Sequence, residues 1–363
     1  MRRSAMMVVV VLWVSLVMSA TATAAQGWGS GATTGTPTMQ DLIPTVSSGQ
    51  AYSERYSFSF NPDQGGHIGI NLTISNLGLR SGYGASELRL DMPDRDRYSE
   101  SERVRRRHWS YDEDQFGLEI ADAELRADGE NAFEYRYDDG DVKVELRFEK
   151  RVPMWRPGNG EIRNGDDFYR FTLVAPRSRV EGRVYIDGEW HDVSTEDSGY
   201  ADHVVTNVAP FDLGKRFTRF RAYEDDVFVL WREIDLTSDY GGRPVTWVVV
   251  GVGDDIIYED ASAEARFGEV ERHEESGYRV PHAVQVRSDK SNGDSLRFLL
   301  RGDDYSHRDL LASYGRVART VAGALSDPHQ FNVEGRYALE VEVDGRKLRV
   351  TGENRVTLDY VNQ

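Results

Sequence analysis

Cysteine is absent from all 363 residues. The chain therefore forms no disulfide in any compartment and offers no thiol for lipid acylation or for a cysteine-based zinc site. Histidine is sparse and scattered: His67, His108, His191, His203, His273, His282, His307 and His329. None stands in H-x-x-x-H or H-E-x-x-H spacing, so no metal site is expected. No G-x-S-x-G elbow occurs, and no G-x-G-x-x-G joins a strand to a helix, so neither a serine hydrolase nor a dinucleotide cofactor is indicated. "VGVGDD", Val250 to Asp255, reads as a strand end. No cofactor is expected. Beyond the N-terminus the most apolar run, "VTWVVVGVG" from Val245 to Gly253, has the length of a strand and is too short for a spanning helix. Positive charge is short as well. The net charge of -17 repels phosphate and excludes nucleic acid as a partner, and it disfavours tight docking on anionic lipid.

The first residues have the pattern of an export signal. Arg2-Arg3 precedes an apolar run, Ala5 to Met18, and Ala22-Thr23-Ala24 supplies small residues for cleavage. Residues 1–25 are expected to be a signal peptide, and the mature protein periplasmic or secreted. Residues 26–48 are rich in Gly, Ser and Thr and read as a flexible leader. "RVRRRHW", Arg103 to Trp109, is the local exception to the acidity. It reads as a solvated strand edge, with transient contact to a membrane or anionic headgroup as the alternative.

The dominant period is two. Ile68, Ile70, Leu72 and Ile74 share one face, as do Val142, Val144, Leu146 and Phe148, and then Tyr337, Leu339, Val341 and Val343. Asp139-Gly140, Asp187-Gly188 and Asp344-Gly345 mark hairpin turns. No βαβ pattern recurs, so the fold is expected to be all-β and antiparallel. One late helix is expected over His307 to Leu325, where Leu310, Leu311, Tyr314, Val317, Val321 and Leu325 fall at helical spacing. Arg151 to Asp167 reads as a long loop, and a lid is one use for it. A boundary near Trp190 to Asp197 gives two domains, 49–192 and 193–363.

Between them stands "GYADHVVTNVAPFDLGKRFTRFRAY", Gly199 to Tyr223. In an extended chain Asp202 and His203 face opposite ways, so they do not form a side-by-side dyad. One faces a barrel interior, and burial there requires a partner. Arg216, Arg219 and Arg221 are the nearest cations in sequence. Ser198 to Ile234, with Tyr200-Ala201-Asp202-His203, Lys215-Arg216-Phe217 and Arg219-Phe220-Arg221, resembles the junction motif of the fungal survival-factor family. That family's wider relatives are the hydroxyneurosporene synthase (carotenoid hydratase)-like lipocalin proteins. The resemblance implies two tandem lipocalin-like barrels and the binding or carriage of a hydrophobic molecule such as a lipid. Tyr200, Asp202, His203, Asn207, Arg219 and Trp231 are the candidate ligand-contacting residues, assigned to the second barrel. Two competing readings stay open. One is a cofactor-free hydratase or isomerase for an isoprenoid or polyketide-like substrate, with Asp202 or His203 as proton donor. The other is a structural envelope protein with filled barrels.

Overall fold

The computed structural model describes residues 27–28, 35–77, 81–312 and 326–361. The expected signal peptide lies outside the described residues. Twelve strands build the first sheet: β1 (Ser53–Phe60), β2 (His67–Ser75), β3 (Tyr83–Asp91), β4 (Tyr98–Arg105), β5 (Trp109–Tyr111), β6 (Gly117–Ile120), β7 (Ala123–Asp128), β8 (Ala132–Asp138), β9 (Lys143–Lys150), β10 (Glu161–Asn164), β11 (Asp167–Ile186) and β12 (Glu189–Thr206). They run in the order β4-β3-β2-β1-β12-β11-β9-β8-β7-β6-β5, with β10 added to β11. The sheet curls until its ends nearly meet. A Cβ on Gly84 of β3 would lie 2.9 Å from the Trp109 ring, so only glycine lets these strands approach so closely.

Eight strands make the second sheet: β13 (Gly214–Glu224), β14 (Val227–Leu236), β15 (Pro244–Val252), β16 (Asp255–Arg272), β17 (Arg279–Asp289), β18 (Ser295–Asp309), β19 (His329–Val343) and β20 (Arg346–Tyr360). They meander in chain order and close when β13 pairs with β20, from Arg216↔Tyr360 to Phe220↔Val356. Closure removes the strand edges that would otherwise invite pairing with other chains. The fold is all-β with two barrel-like sheets, and the period-two runs are its strands.

Three apolar clusters hold the molecule together. One fills the first barrel and one the second. The third lies between them, where Tyr169, Phe171, Leu173, Tyr200 and Val204 of β11 and β12 meet Phe228, Leu230, Ile234, Trp247 and Val249 of β14 and β15. β14 is therefore apolar on both faces, with one turned to its own lumen and the other to the seam. Each large side chain buried there contributes roughly 1.5–3 kcal/mol of transfer free energy, so the seam couples the barrels firmly.

The structure corrects four expectations. β12 runs unbroken to Thr206 within the first sheet, so the boundary at 192/193 falls inside one strand, and the chain crosses between barrels at 207–213. Period two continues across the Asp187-Gly188 turn, which is why local composition could not reveal the crossing. The described part of the leader is packed down: Trp28 is buried in the seam and Leu42 in the first core. Arg151 to Asp167 is held rather than free, since Trp155 pairs with Leu173 and packs 5.3 Å from Trp247. His307 to Asp309 belong to β18 and 310–312 to a turn; residues 313–325 of the expected helix lie outside the described residues. No helix among the described residues is long and apolar enough to cross a membrane.

Candidate functional site

The register of β12 decides the Asp202-His203 question. His203 pairs with Tyr56 and Asp202 with Ser57. Since Tyr56 faces the first core, His203 does too, and Asp202 faces the seam. The opposite-face expectation holds, but both residues belong to the first barrel and not to the second.

Inside the first barrel His203 stacks on Tyr56 with ring centroids 4.3 Å apart. Its Nε2 lies 2.8 Å from Glu54 Oε1, which also accepts from the Tyr56 hydroxyl at 2.7 Å. Glu54 Oε2 accepts from the Thr45 backbone at 3.0 Å and from the Tyr52 hydroxyl. The single proton of the Tyr56 hydroxyl is shared with the Leu42 carbonyl, also 2.7 Å away. Burial would raise the Glu54 carboxyl, but the hydrogen bond and charge of His203, with the two tyrosines, hold it below its ordinary value. This carboxylate has all four acceptor positions filled. It fastens the segment before β1 to the barrel and leaves no free lone pair for a substrate.

On the seam, Asp202 Oδ2 accepts from the Tyr200 hydroxyl at 2.7 Å and from Arg232 at 3.1 Å. Burial opposes ionisation, but Arg232, followed by Arg55, the Tyr200 hydrogen bond and Arg221, keeps the carboxyl below its usual range. The expected partners lie elsewhere. Arg221 sits 4.1 Å over the Tyr200 ring and donates to Ser59. Arg219 pairs with Asp359 on the barrel exterior, and Arg216 pairs inside the lumen. Asn207 braces the β10–β11 turn through the Phe168 N–H at 2.7 Å and the Asp166 carbonyl at 3.0 Å. Of the six expected residues, only Trp231 lies in the second barrel's lumen, where it is fully buried.

That lumen holds the arrangement with unspent binding capacity. Thr218 pairs with Glu233 and Phe220 with Trp231 across β13 and β14, so Arg216, Thr218, Trp231 and Glu233 all face inward with Phe220. Arg216 donates to Glu233 Oε1 at 2.8 Å and lies 3.9 Å over the Phe267 ring. Arg216 Nε, Thr218 Oγ1, Trp231 Nε1 and Glu233 Oε2 are buried with no protein partner. Burial raises the Glu233 carboxyl more than Arg216 lowers it. Phe220, Trp231, Phe298 and Tyr337 pack through the middle, with centroids 4.7 to 6.0 Å apart. Other orphaned atoms include Trp28 Nε1, Trp247 Nε1 and Asp202 Oδ1 on the seam and Ser178 Oγ on β11 of the first sheet. Sequence reasoning missed Glu54, Arg232 and Glu233. The signal for the last two was a cation and an acid inside "VFVLWREIDL", a run otherwise apolar on both faces.

A cleft of about 880 Å³ lies at the Asp289 end of β17 between Trp155 and residues 259–292. Glu259, Asp260, Glu264 and Asp289 face Arg266, Arg287 and Lys290 there, walls that suit a hydrated polar solute better than a lipid chain. The absence of metal-ligand spacing in the sequence does not carry over to space: His273, Glu275 and His307 bring ligand atoms within 4.8 Å of one another.

No protein-family model matches the chain. It is 20% identical over 236 residues to the ceramide-binding protein SVF1 of Yarrowia lipolytica, covering 59% of this chain and 59% of that one. The chain thus spans about three-fifths of that curated relative's length. In fold it is similar to CghA in its crystal structure with Sch210972, with TM-score 0.60, 10% identity, and 92% of this chain and 94% of CghA covered. It is similar as well to kievitone hydratase of Nectria haematococca, with TM-score 0.52, 11% identity and 93% and 99% covered. The resemblance to survival-factor and lipocalin-like hydratase proteins is therefore matched in sequence by the first and in fold by the others.

Proposed function

We propose that the protein binds one neutral, lipid-like molecule in the second barrel. Its hydrogen-bonding head lies against Arg216, Thr218, Trp231 and Glu233, and its chain runs along the apolar wall. The observation that carries this is the set of four unpartnered polar atoms in one lumen. Each buried, unsatisfied group costs about 1–3 kcal/mol. Four together rival the whole stability of a typical domain, about 5–15 kcal/mol. Something must answer them, either a ligand or ordered water. Arg216 Nε and Trp231 Nε1 only donate, ionised Glu233 accepts, and Thr218 does both. A complementary head carries at least two acceptors and one donor. Because Arg216 and Glu233 already neutralise each other, that head is uncharged. An amide flanked by hydroxyls meets these terms, and likeness to a ceramide-binding protein supports the class. The aromatic stack must turn aside to admit a chain, and about 0.8 kcal/mol per buried methylene offsets that cost.

Mass spectrometry of organic extracts from the protein purified from its native host tests the reading. About one equivalent of a neutral amphiphile is expected with wild type and much less with Thr218→Val. No lipid in either, and no uptake of added ceramide, would leave water as the occupant and end the proposal.

Export belongs to the same reading. N-terminal sequencing of the native protein should begin near Ala25 or Gln26, and an intact Met1 on cytoplasmic material contradicts it. The exposed basic strip on β4 and the following turn, Arg103 to Arg107, is a natural contact for anionic headgroups. Salt-sensitive, weak binding to phosphatidylserine vesicles is expected.

A second reading is favoured by one observation, the raised Glu233 carboxyl. A cofactor-free hydratase or isomerase would use Glu233, rather than Asp202 or His203, as proton donor. In that case Glu233→Gln abolishes conversion while the bound molecule is kept.

A further inference from the structure

We infer that His273, Glu275 and His307 form a binding site for a divalent transition-metal ion at one end of the second barrel. The site is independent of the lipid reading. Two stretches distant in sequence supply its ligands. His273 and Glu275 stand on the turn from β16 to β17, and His307 stands on β18, where it pairs with Phe331 of β19. The turn is fixed by the His273 N–H donating to the Tyr278 carbonyl at 2.9 Å and the Gly277 N–H to the His273 carbonyl at 2.8 Å. The Tyr278 hydroxyl donates to the Asp327 carbonyl at 2.7 Å, which ties the turn to the start of β19. Phe331 floors the cluster, 5.1 Å from the His273 ring and 4.9 Å from that of His307.

Two features set these imidazoles apart from surface histidines. The first is mutual proximity: the His273 and His307 centroids are 4.2 Å apart. Two imidazolium ions would repel at that distance. The second is outer support. His307 Nε2 lies 2.7 Å from His329 Nδ1, and His329 Nε2 lies 3.2 Å from Asp327 Oδ1. A consistent proton order runs along this chain. Asp327 accepts from His329 Nε2–H, His329 Nδ1 accepts from His307 Nε2–H, and His307 Nδ1 keeps its lone pair. His273 Nδ1 lies 2.9 Å from Ser276 Oγ and accepts from the Ser276 N–H at 3.3 Å, which fixes the orientation of the ring. Ligand histidines are held this way, by the hydrogen bond of their other nitrogen.

Imidazole nitrogens suit zinc, copper, iron and nickel, and two imidazoles with one carboxylate form a ligand set that leaves a coordination position open. Tetrahedral bonds of about 2.1 Å place ligand atoms about 3.4 Å apart. From a 4.8 Å limit, closure takes side-chain shifts of about an ångström.

The test uses untagged, metal-stripped full-length protein titrated with Zn²⁺ by calorimetry and with Co²⁺ by visible absorption. One equivalent is expected. His273→Ala and His307→Ala should weaken it by about 100-fold or more, and Glu275→Gln by about 10-fold. His329→Ala should weaken it by about 10–100-fold and shift the Co²⁺ bands, as a positioning residue does. His108→Ala, an exposed histidine of the first barrel, should change nothing. Glu275 is exposed on a turn, so its variant folds. No saturable uptake by wild type, or affinity undiminished in both Glu275→Gln and His307→Ala, overturns the site.

Discussion

In the first barrel Glu54 collects four hydrogen bonds from Tyr52, Tyr56, Thr45 and His203. In the second, Glu233 takes one from Arg216 and leaves Oε2 bare beside three other unpartnered polar atoms. Both carboxyls are almost wholly inaccessible to solvent. The difference lies in what surrounds them. The Glu54 network is satisfied within the first barrel and ties down the segment of Leu42 and Thr45. The second keeps donors and acceptors in hand. A satisfied buried network stabilises and specifies a fold, whereas an unsatisfied one calls for a partner, water or ligand, to offset its cost.

The sharpest way to break this comparison is Glu54→Gln. An amide cannot accept from all four donors, and the loss of one side of a buried charged network costs about 3–5 kcal/mol. His203→Ala should fall in the same range. Urea denaturation measures both, and a loss under about 1 kcal/mol would show the first network to be idle. Asp202→Asn comes next, at about 2 kcal/mol, because the amide can keep the Tyr200 bond while Arg232 loses its counter-charge. Thr218→Val should behave in the opposite sense. It removes a hydroxyl with no protein partner, so stability of the ligand-free protein should hold or rise by up to about 1 kcal/mol, while ceramide affinity falls about 10-fold for one lost hydrogen bond. A stability loss as large as that of Glu54→Gln would erase the distinction between the barrels.

The smallest effect is in pH. The folded-state value of Glu54 is depressed, so its contribution is full above the unfolded value of about 4.3 and drains away as pH falls through the folded one. That of Glu233 is raised, so its contribution is present below about 4.3 and is lost as pH rises through the folded value. The stability gap between wild type and Glu54→Gln should close on acidification. The gap to Glu233→Gln should shrink as pH rises. Parallel trends in the two variants would contradict the assignment.

Much of this fold was legible because strands write themselves in period two. Asp187-Gly188 and Asp344-Gly345 do turn the chain at positive φ, 56° and 87° in one and 50° and 74° in the other, which is what such hairpins require. The opposite facing of Asp202 and His203 was legible for the same reason. What alternation cannot say is which barrel a strand joins. Alternation alone leaves residues 193–206 of β12 with the second barrel and favours arginines nearer in sequence than Arg232. Glu54 meets His203 across a sequence gap that no local pattern bridges. His273, His307 and His329 come together only because the β16–β17 turn and the β18–β19 ladder share one end of the barrel. Register, rather than residue type, carries that information.

On the proposed function, a ligand's head meets the second lumen and not the first. The indole N–H of Trp231 reports on it directly. In ¹⁵N-tryptophan-labelled protein, its signal is assigned by loss in Trp231→Phe, and that of Trp109 in the first barrel by loss in Trp109→Phe. A short-chain ceramide is then added. The Trp231 Nε1–H resonance should move downfield as it gains an acceptor, while that of Trp109, already donating to the Gly82 carbonyl at 3.2 Å, stays in place. Ceramide binding that shifts Trp109 and leaves Trp231 unmoved would contradict the account.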